Sequence, residues 1–461
     1  MNKELPQGWE WTSLDSIADI ILGQSPPSST YNEDKIGLPF YQGKSEFGSI
    51  YPTPSKWCSS PKKIAEKGYI LISIRAPVGP TNICSETSCI GRGLAAICGL
   101  DDIDTKFIFY LLRNFQEQFR YKATGTTFEA ISGNTLRNFE IPVPPLAEQQ
   151  RIVNKIEELF TNLDKGIEYL KTAQAELKLT RQSVLKYALE GRLTEDWREK
   201  HKDKIEPASV LLENIKAERR KEGKYKDLPP IDTSGNTSLP DDWAWTRLGE
   251  VISIEYGKGL TEDKRDKNGK YPVYGSSGIV GYHSNYYVEK NCIVIGRKGA
   301  VGKVHLTNSP CWPIDTTYYT ISPKELSMNF LFYLLSHMRL EKLDKSTAIP
   351  GINRNDVYSK VIILPSLAEQ NKIVEVIENY YSILDNMENT ISQSLNQTSG
   401  IRQSILKKAF EGRLVPQDPN DEPASVLLER IKADKSKSEK EKISEKKNRF
   451  VKEKYRQMRI D

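Results

Sequence analysis

The sequence predicts a mixed α/β protein: two globular α/β domains separated by two long antiparallel coiled-coil helices, in a pseudo-two-fold, circular arrangement. Three observations predict it. Four segments recur in the same order along the chain. Each half carries an apolar heptad long enough for about 45 helical residues. Short β-type runs and short apolar helices, bounded by Gly and Pro, fill the stretches that precede those heptads.

The repeat is the first signal to weigh. Pro145-Leu146-Ala147-Glu148-Gln149 returns as Ser366-Leu367-Ala368-Glu369-Gln370, and Arg181–Leu193 returns as Arg402–Leu414, both at an offset of 221 residues. Glu206–Ala217 returns as Glu422–Ala433, and Leu5–Leu14 as Leu239–Leu248. The first linker leads into Leu239-Pro240-Asp241-Asp242-Trp243, and the chain opens on Leu5-Pro6-Gln7-Gly8-Trp9. A second linker of the same kind therefore points back to the first domain, which closes the circle.

Taken in order, residues 1–145 form the first globular domain, with Tyr69–Ile74 as a strand and Phe107–Leu112 as a helix. Residues 146–192 form the first spacer helix. Pro144 and Pro145 precede it and Gly191 lies near its end, which are favoured places for those residues. Ile156, Leu163, Leu170, Leu177 and Val184 fall every seven residues, with a companion row of Leu159, Gly166, Ala173, Thr180 and Tyr187. Residues 193–238 are a helical linker segment that ends in turn-rich sequence. Residues 239–366 repeat the globular pattern, with Asn291–Ile295 as a strand and Phe330–Leu335 as a helix. Residues 367–413 are the second spacer helix. Its rows are Ile377, Leu384, Ile391, Thr398, Ile405 and Tyr380, Met387, Ser394, Ile401, and Gly412 lies near its end. The helices are expected to pair through Ile156, Leu159, Leu163, Leu170, Leu177, Val184, Ile377, Leu384, Ile391 and Ile405. Residues 414–461 are a helical, basic, low-complexity tail.

Composition narrows the function classes. The chain has 461 residues, enough for two to four separate cores. No run of 18 apolar residues exists, which argues against a membrane span. The first twenty residues lack a signal-type apolar core, so a cytoplasmic location is expected. Six Cys form no CxxC pair and four His are scattered, so no metal site is expected and the thiols read as reduced. Net charge is +5, yet residues 431–461 carry 12 Lys and Arg against 6 Asp and Glu. The remainder is nearly neutral, so any nucleic-acid face must be a local patch.

Catalytic motifs fail on inspection. Gly296–Val304 resembles a phosphate loop, but its glycine spacing is wrong and Val304 stands where Ser or Thr should meet magnesium. Asp104-Thr105-Lys106 has the D-x-K form of some nucleases, a triplet that is frequent in a charged chain. Neither an amino-methyltransferase Asn/Asp-Pro-Pro-Tyr/Phe segment nor a GxGxxG fingerprint occurs. Trp9, Trp11, Trp243 and Trp245 recur at the opening of each domain, which favours packing against the helices over base stacking.

Several segments carry a resemblance. They are the LPxxW openings at Leu5–Trp9 and Leu239–Trp243, Gly23–Pro27, Arg75–Thr81 with Gly91–Gly93, Tyr271–Gly278, and Ile295–Gly299. PPLAEQQRIV and PSLAEQNKIV at the helix starts are the most specific. Along essentially its full length the sequence resembles the specificity subunits of type I restriction–modification systems. The resemblance implies that each globular domain is a target-recognition domain reading one half of a bipartite site in double-stranded DNA. It implies that the helices set the gap and dock two adenine-N6 methyltransferase subunits, with two motor-nuclease restriction subunits joining for defence against foreign DNA. It also implies a chain without an active site or cofactor of its own, with S-adenosylmethionine, ATP and Mg on the partners. A coiled-coil adaptor without DNA recognition is the alternative.

Gly-rich turns flanked by Lys, Arg, Gln, Ser and Tyr suit DNA contact, because backbone N–H groups approach phosphates and long polar side chains reach base edges. In the first domain the candidates are Gln24, Ser25, Gln42, Lys44, Arg75, Arg92, Thr126 and Thr127. In the second they are Lys258, Tyr274, Ser276, Ser277, His283, Arg297, Lys298, Asn353 and Arg354.

Overall fold

The heptad pattern becomes two single helices, Leu146–Leu189 and Leu367–Phe410, each 44 residues long. At about 1.5 Å per residue each is roughly 66 Å in length. This computed structural model describes residues 4–100, 102–123, 129–223, 225, 230–232, 239–240, 242–344 and 350–437. Thr126 and Thr127, much of the linker before residue 239, and the basic tail after residue 437 lie outside the described residues.

The chain divides into two units. Unit 1 takes residues 1–170 and 393–461, and unit 2 takes residues 171–392. Each unit therefore holds the first part of one long helix and the last part of the other. In unit 1, Arg402 stacks over Phe160 at 4.8 Å and pairs with Asp164. In unit 2, Arg181 stacks over Tyr381 at 4.4 Å and pairs with Asp385. The two sets are related by the 221-residue offset, so one helix–helix contact is written twice.

Ile156, Leu177, Val184, Ile377, Leu384 and Ile391 are buried, and Leu163, Leu170 and Ile405 are half-buried. The companion row needs correction. Tyr187, Tyr380, Met387 and Ile401 are between 40% and 50% exposed, and Leu159 is only half-buried. The second row lies four positions after the first instead of three, through Phe160, Ala188 and Ala409, all buried. A heptad permits either spacing. The stacking of Phe160 and Tyr381 under the arginines selects this one.

Both helices end on a left-handed glycine, as the sequence predicts. Gly191 has φ +73° and Gly412 φ +69°. The Arg192 N–H donates to the Tyr187 carbonyl at 3.0 Å and the Arg413 N–H to the Lys408 carbonyl at 2.8 Å, the six-to-one bond of a Schellman ending.

The globular part of unit 1 is built on a four-stranded antiparallel sheet. Its order is Ala18–Leu22, Leu94–Gly99, Ile70–Ser73, Thr81–Ile83. Unit 2 repeats that order with Glu255–Tyr256, Thr317–Thr320, Ile293–Gly296, Val304–Leu306. The central strands are buried on both faces, hence their unbroken apolar runs. Helix Thr105–Asn114 covers the sheet in unit 1 and Met328–His337 in unit 2. A two-stranded ribbon joins each opening segment to the strand before its long helix, Glu10–Ser13 with Glu140–Val143 and Ala244–Arg247 with Val361–Leu364.

The linkers complete these cores. Helix Ala208–Lys221 buries Leu211, Leu212 and Ile215 in unit 2, so the start of this charged stretch is a packed amphipathic helix. Residues 424–437 are helical and bury Ala424, Leu427 and Ile431 in unit 1. The Ala424 N–H donates to the Gly8 carbonyl and the Ala208 N–H to the Asp242 carbonyl, each at 2.9 Å. The second linker thus returns to the first domain, as the repeat order predicts.

Trp9 and Trp243 are buried and donate their indole N–H groups to Glu148 at 3.0 Å and Glu369 at 2.8 Å, in the first turns of the long helices. Trp11 departs from the packing expectation, being 43% exposed. Asp104-Thr105-Lys106 is a helix start: the Asp104 carboxylate accepts from the Lys106 N–H at 2.8 Å, and the Lys106 ammonium pairs with Glu157. Gly296–Val304 connects two antiparallel strands, whereas a phosphate loop runs from strand to helix. Among the described residues no helix is long and apolar enough to cross a membrane, and no three His, Cys, Asp or Glu cluster as metal ligands.

Candidate nucleic-acid interface

Four turns meet at one end of each sheet, and the same backbone hydrogen bonds hold them in both units. In unit 1 the Gly23 N–H donates to the Leu94 carbonyl at 2.9 Å and the Gln24 N–H to Ile90 at 3.1 Å. In unit 2 Gly257 donates to Thr317 at 3.1 Å and Lys258 to Pro313 at 2.9 Å. Gly91 donates to Tyr41 at 2.8 Å, matched by Ile314 to Tyr274 at 2.9 Å. Ile74 donates to Gly93 at 2.9 Å, matched by Arg297 to Thr316 at 3.0 Å. Strand Leu38–Tyr41 runs parallel to Ser88–Ile90, and Tyr271–Gly275 parallel to Trp312–Pro313.

Close backbone approach makes glycine necessary at the first turn. A Cβ on Gly23 would lie 2.2 Å from the Gly91 carbonyl oxygen, and one on Gly257 2.1 Å from that of Ile314. The next residue, Gln24 or Lys258, is exposed.

This shared frame pairs residues across the units. Gln24 stands where Lys258 stands, Gln42 where Gly275 does, Lys44 where Ser277 does, Arg75 where Lys298 does, and Arg92 where Asp315 does. In unit 1, Ser25 donates to the Gln42 side-chain oxygen at 3.2 Å and accepts from the Arg92 N–H at 3.2 Å. Ser25, Gln42 and Arg92 line a 460 Å³ depression that Lys56 also borders. Gln24, Lys44, Arg75 and Arg92 are exposed.

In unit 2, Ser276 and Ser277 form the two-residue turn between Tyr271–Gly275 and Gly278–His283, and the Ser276 hydroxyl accepts from the Ala300 N–H at 3.3 Å. His283 meets Trp312 edge-on at 5.2 Å. The Lys258 ammonium lies 5.8 Å from the Trp312 ring and 5.5 Å from Tyr287. The Trp312 indole donates to the Lys258 carbonyl at 2.8 Å.

Four candidates of unit 2 serve the fold. Tyr274 is 9% exposed and packs with Val288, Cys292, Val294 and Cys311, so its side chain lies in a core beneath the turns. Burial pushes its phenol upward, as it pushes that of Tyr41 to about 12. Arg297 donates from Nε and Nη2 to the Asp315 carbonyl at 3.3 and 2.9 Å and lies over Tyr256 and Tyr318. Arg354 donates to the Ile254 carbonyl at 3.2 Å and covers Tyr256 at 5.2 Å. The Asn353 side chain caps helix Arg354–Tyr358 through the Asn355 N–H at 2.8 Å. Lys298, by contrast, is exposed.

Lys56, Asp315, Tyr287 and Trp312 also stand beside these turns, and sequence reasoning did not single them out. No local signal marks Asp315: Ile314-Asp315-Thr316 bears no likeness to Gly91-Arg92-Gly93, and only the hydrogen-bond frame aligns them.

Comparison with known proteins agrees with this architecture. A family model described as the type I restriction modification DNA specificity domain matches residues 6–179 and 240–397. The MjaX type I restriction enzyme specificity subunit of Methanocaldococcus jannaschii is 38% identical over 193 residues, covering 41% of this chain and 44% of that protein. The EcoBI specificity subunit of Escherichia coli is 26% identical over 95% of both chains. Among solved structures, the HsdS subunit from Thermoanaerobacter tengcongensis matches at a TM-score of 0.58 and 20% identity, covering 89% of this chain and 99% of that one. A chain from a study of complex assembly and conformational transition of the type I R-M system reaches 0.62 at 20% identity, covering 89% and 100%. Two copies of one sheet frame, each joined to its own long helix and each matched by the same domain model, place this chain in the family of type I restriction–modification DNA specificity subunits.

Proposed function

We propose that the chain is the DNA sequence-specificity subunit of a type I restriction–modification complex, each globular domain reading one half of a bipartite site. The observation that carries this reading is a common backbone frame that offers different chemistry at equivalent points: Gln24 against Lys258, Gln42 against Gly275, Arg92 against Asp315. One frame with exchanged side chains is what two readers of two different short sequences require. Arginine pairs bidentately with guanine, glutamine with adenine, and a carboxylate accepts from cytosine N4.

Catalysis belongs to the partner subunits of such complexes, and this chain supplies recognition. In the fuller reading, two adenine-N6 methyltransferase subunits dock on the long helices, and two motor-nuclease subunits join for restriction. S-adenosylmethionine, ATP and Mg then bind those partners, in the cytoplasm of a prokaryote. The helix length sets the gap between the half-sites.

Mapping N6-methyladenine in DNA from cells that carry this chain and its methyltransferase tests the core of the reading. Methylation at one bipartite sequence is expected. Replacing residues 5–145 with those of another family member should change one half-site only, and a change in both would refute independent reading. An adaptor without DNA recognition would give no sequence-selective, salt-sensitive gel shift with the methyltransferase.

A further inference from the structure

Arg75 and Lys298 occupy the same place in two turns that share Val78-Gly79, as Val301-Gly302, and otherwise differ in sequence. Ser73 donates to the Pro80 carbonyl at 2.9 Å, matched by Gly296 to Lys303 at 2.8 Å. Gly79 donates to Ser73 at 2.9 Å, matched by Gly302 to Gly296 at 2.8 Å. Arg75 bridges Ala130 and Lys298 bridges Gly351. Both side chains are exposed, and among the described residues neither makes a hydrogen bond or ion pair. The fold therefore holds the backbone of each cation while leaving its charge available.

The neighbouring positions of the frame behave otherwise. A neutral amide becomes a cation from Gln24 to Lys258, and a cation becomes an anion from Arg92 to Asp315. A phosphate is the same in every sequence, so a group that grips one has no reason to change between two readers. A base edge differs between half-sites, so a group that reads one must change with it. An anion at Asp315 would be repelled by a phosphate but can accept from cytosine.

We infer that Arg75 and Lys298 are equivalent phosphate anchors that position each domain, while Gln24, Gln42 and Arg92 in one domain and Lys258 and Asp315 in the other determine which bases are read. This division of roles rests on the proposed function, and the experiment separates the two. The complete chain with its methyltransferase partner is titrated with the methylated sequence and with single-base variants of it, at several salt concentrations.

For Arg75→Gln and Lys298→Gln, affinity should fall by a similar factor on every sequence. The slope of log K against log salt should shrink by about 1, and the methylated sequence should stay the same. Arg75→Lys should restore the slope. Arg92→Gln or Asp315→Asn should lose about tenfold or more discrimination at one position of one half-site. The assignment of anchors is overturned if Arg75→Gln or Lys298→Gln changes which sequence is methylated, or leaves the salt slope intact. It is overturned equally if Arg92→Gln weakens all sequences alike. Binding by the unaltered complex that ignores sequence altogether would remove the proposed function itself, and this division of roles with it.

Discussion

At the residue scale, Glu148 and Glu369 show how one repeated motif meets two environments. Glu369 accepts from the Trp243 indole, the Thr194 hydroxyl at 2.7 Å and Arg198 Nε at 3.0 Å. Glu148 accepts from Trp9, but its Oε1 has no hydrogen-bond partner among the described residues. At the 221-residue offset Val415 takes the place of Thr194, packs against the core of unit 1 and has no side-chain donor to offer. Burial accordingly pushes the Glu148 carboxyl above the usual carboxylate range, against the opposing pull of Trp9 and Arg151. A carboxyl raised in the folded state binds its proton more tightly there than when unfolded. Its contribution to stability is complete below the ordinary carboxylate value and is lost as pH rises through the raised one. Glu369→Gln should cost about 3 kcal/mol, because it leaves the Arg198 charge half-buried without its partner. Glu148→Gln should cost about 1 kcal/mol or less at neutral pH, and should flatten the pH dependence of unit 1. Thermal melts of both variants between pH 4 and 8 check this; equal losses at every pH would contradict it.

At the scale of elements, the long helices stop where glycine lets them turn against the opening of a domain. A Cβ on Gly412 would lie 2.3 Å from Pro6 Cγ, and one on Gly191 2.7 Å from Trp243 Cζ2. Left-handed backbone adds its own cost for any other residue. Gly412→Ala should therefore destabilise unit 1 by about 1–3 kcal/mol, measured by denaturant unfolding. Gly166→Ala and Gly400→Ala lie mid-helix with nothing within 4 Å of a new Cβ, and should stabilise by up to about 1 kcal/mol. The Arg402–Asp164 and Arg181–Asp385 pairs are largely exposed on their acidic sides. Their arginines matter more through stacking on Phe160 and Tyr381.

At the scale of the whole molecule, each linker helix completes the core of the domain that follows it in the circular order. Leu427 and Ile431 are 1% exposed in unit 1, and Leu211 and Ile215 fill the matching places in unit 2. Leu427→Ala should cost about 2–5 kcal/mol and loosen hydrogen exchange in strands Ala18–Leu22 and Leu94–Gly99. Leu211→Ala should act instead on Thr317–Thr320 and Ile293–Gly296. Loosening in the opposite unit would refute the assignment of linkers to cores. Removal of one heptad from each long helix shortens it by about 10 Å. If helix length sets the gap, the mapped half-sites should then move closer by roughly 3 base pairs at about 3.4 Å each. An unchanged gap would exclude the helices as a ruler.

The sequence by itself determined the two long helices, the order of the units and the return of the chain to its start. Apolar periodicity and repeated segments are local properties that survive in one dimension. It also named residues in turns that prove equivalent in the fold, since Gln24 and Arg75 in unit 1 lie where Lys258 and Lys298 lie in unit 2. The tertiary structure alone decided which side chains those turns leave free. Tyr274 is buried and Arg297 and Arg354 are held on Tyr256, because strand facing and stacking depend on what covers each face. It alone chose the helix-pairing row, since a heptad allows spacings of three or four. And it alone paired Arg92 with Asp315: the frame is made of backbone hydrogen bonds, which at these two positions hold with either side chain and so leave no mark there in the sequence.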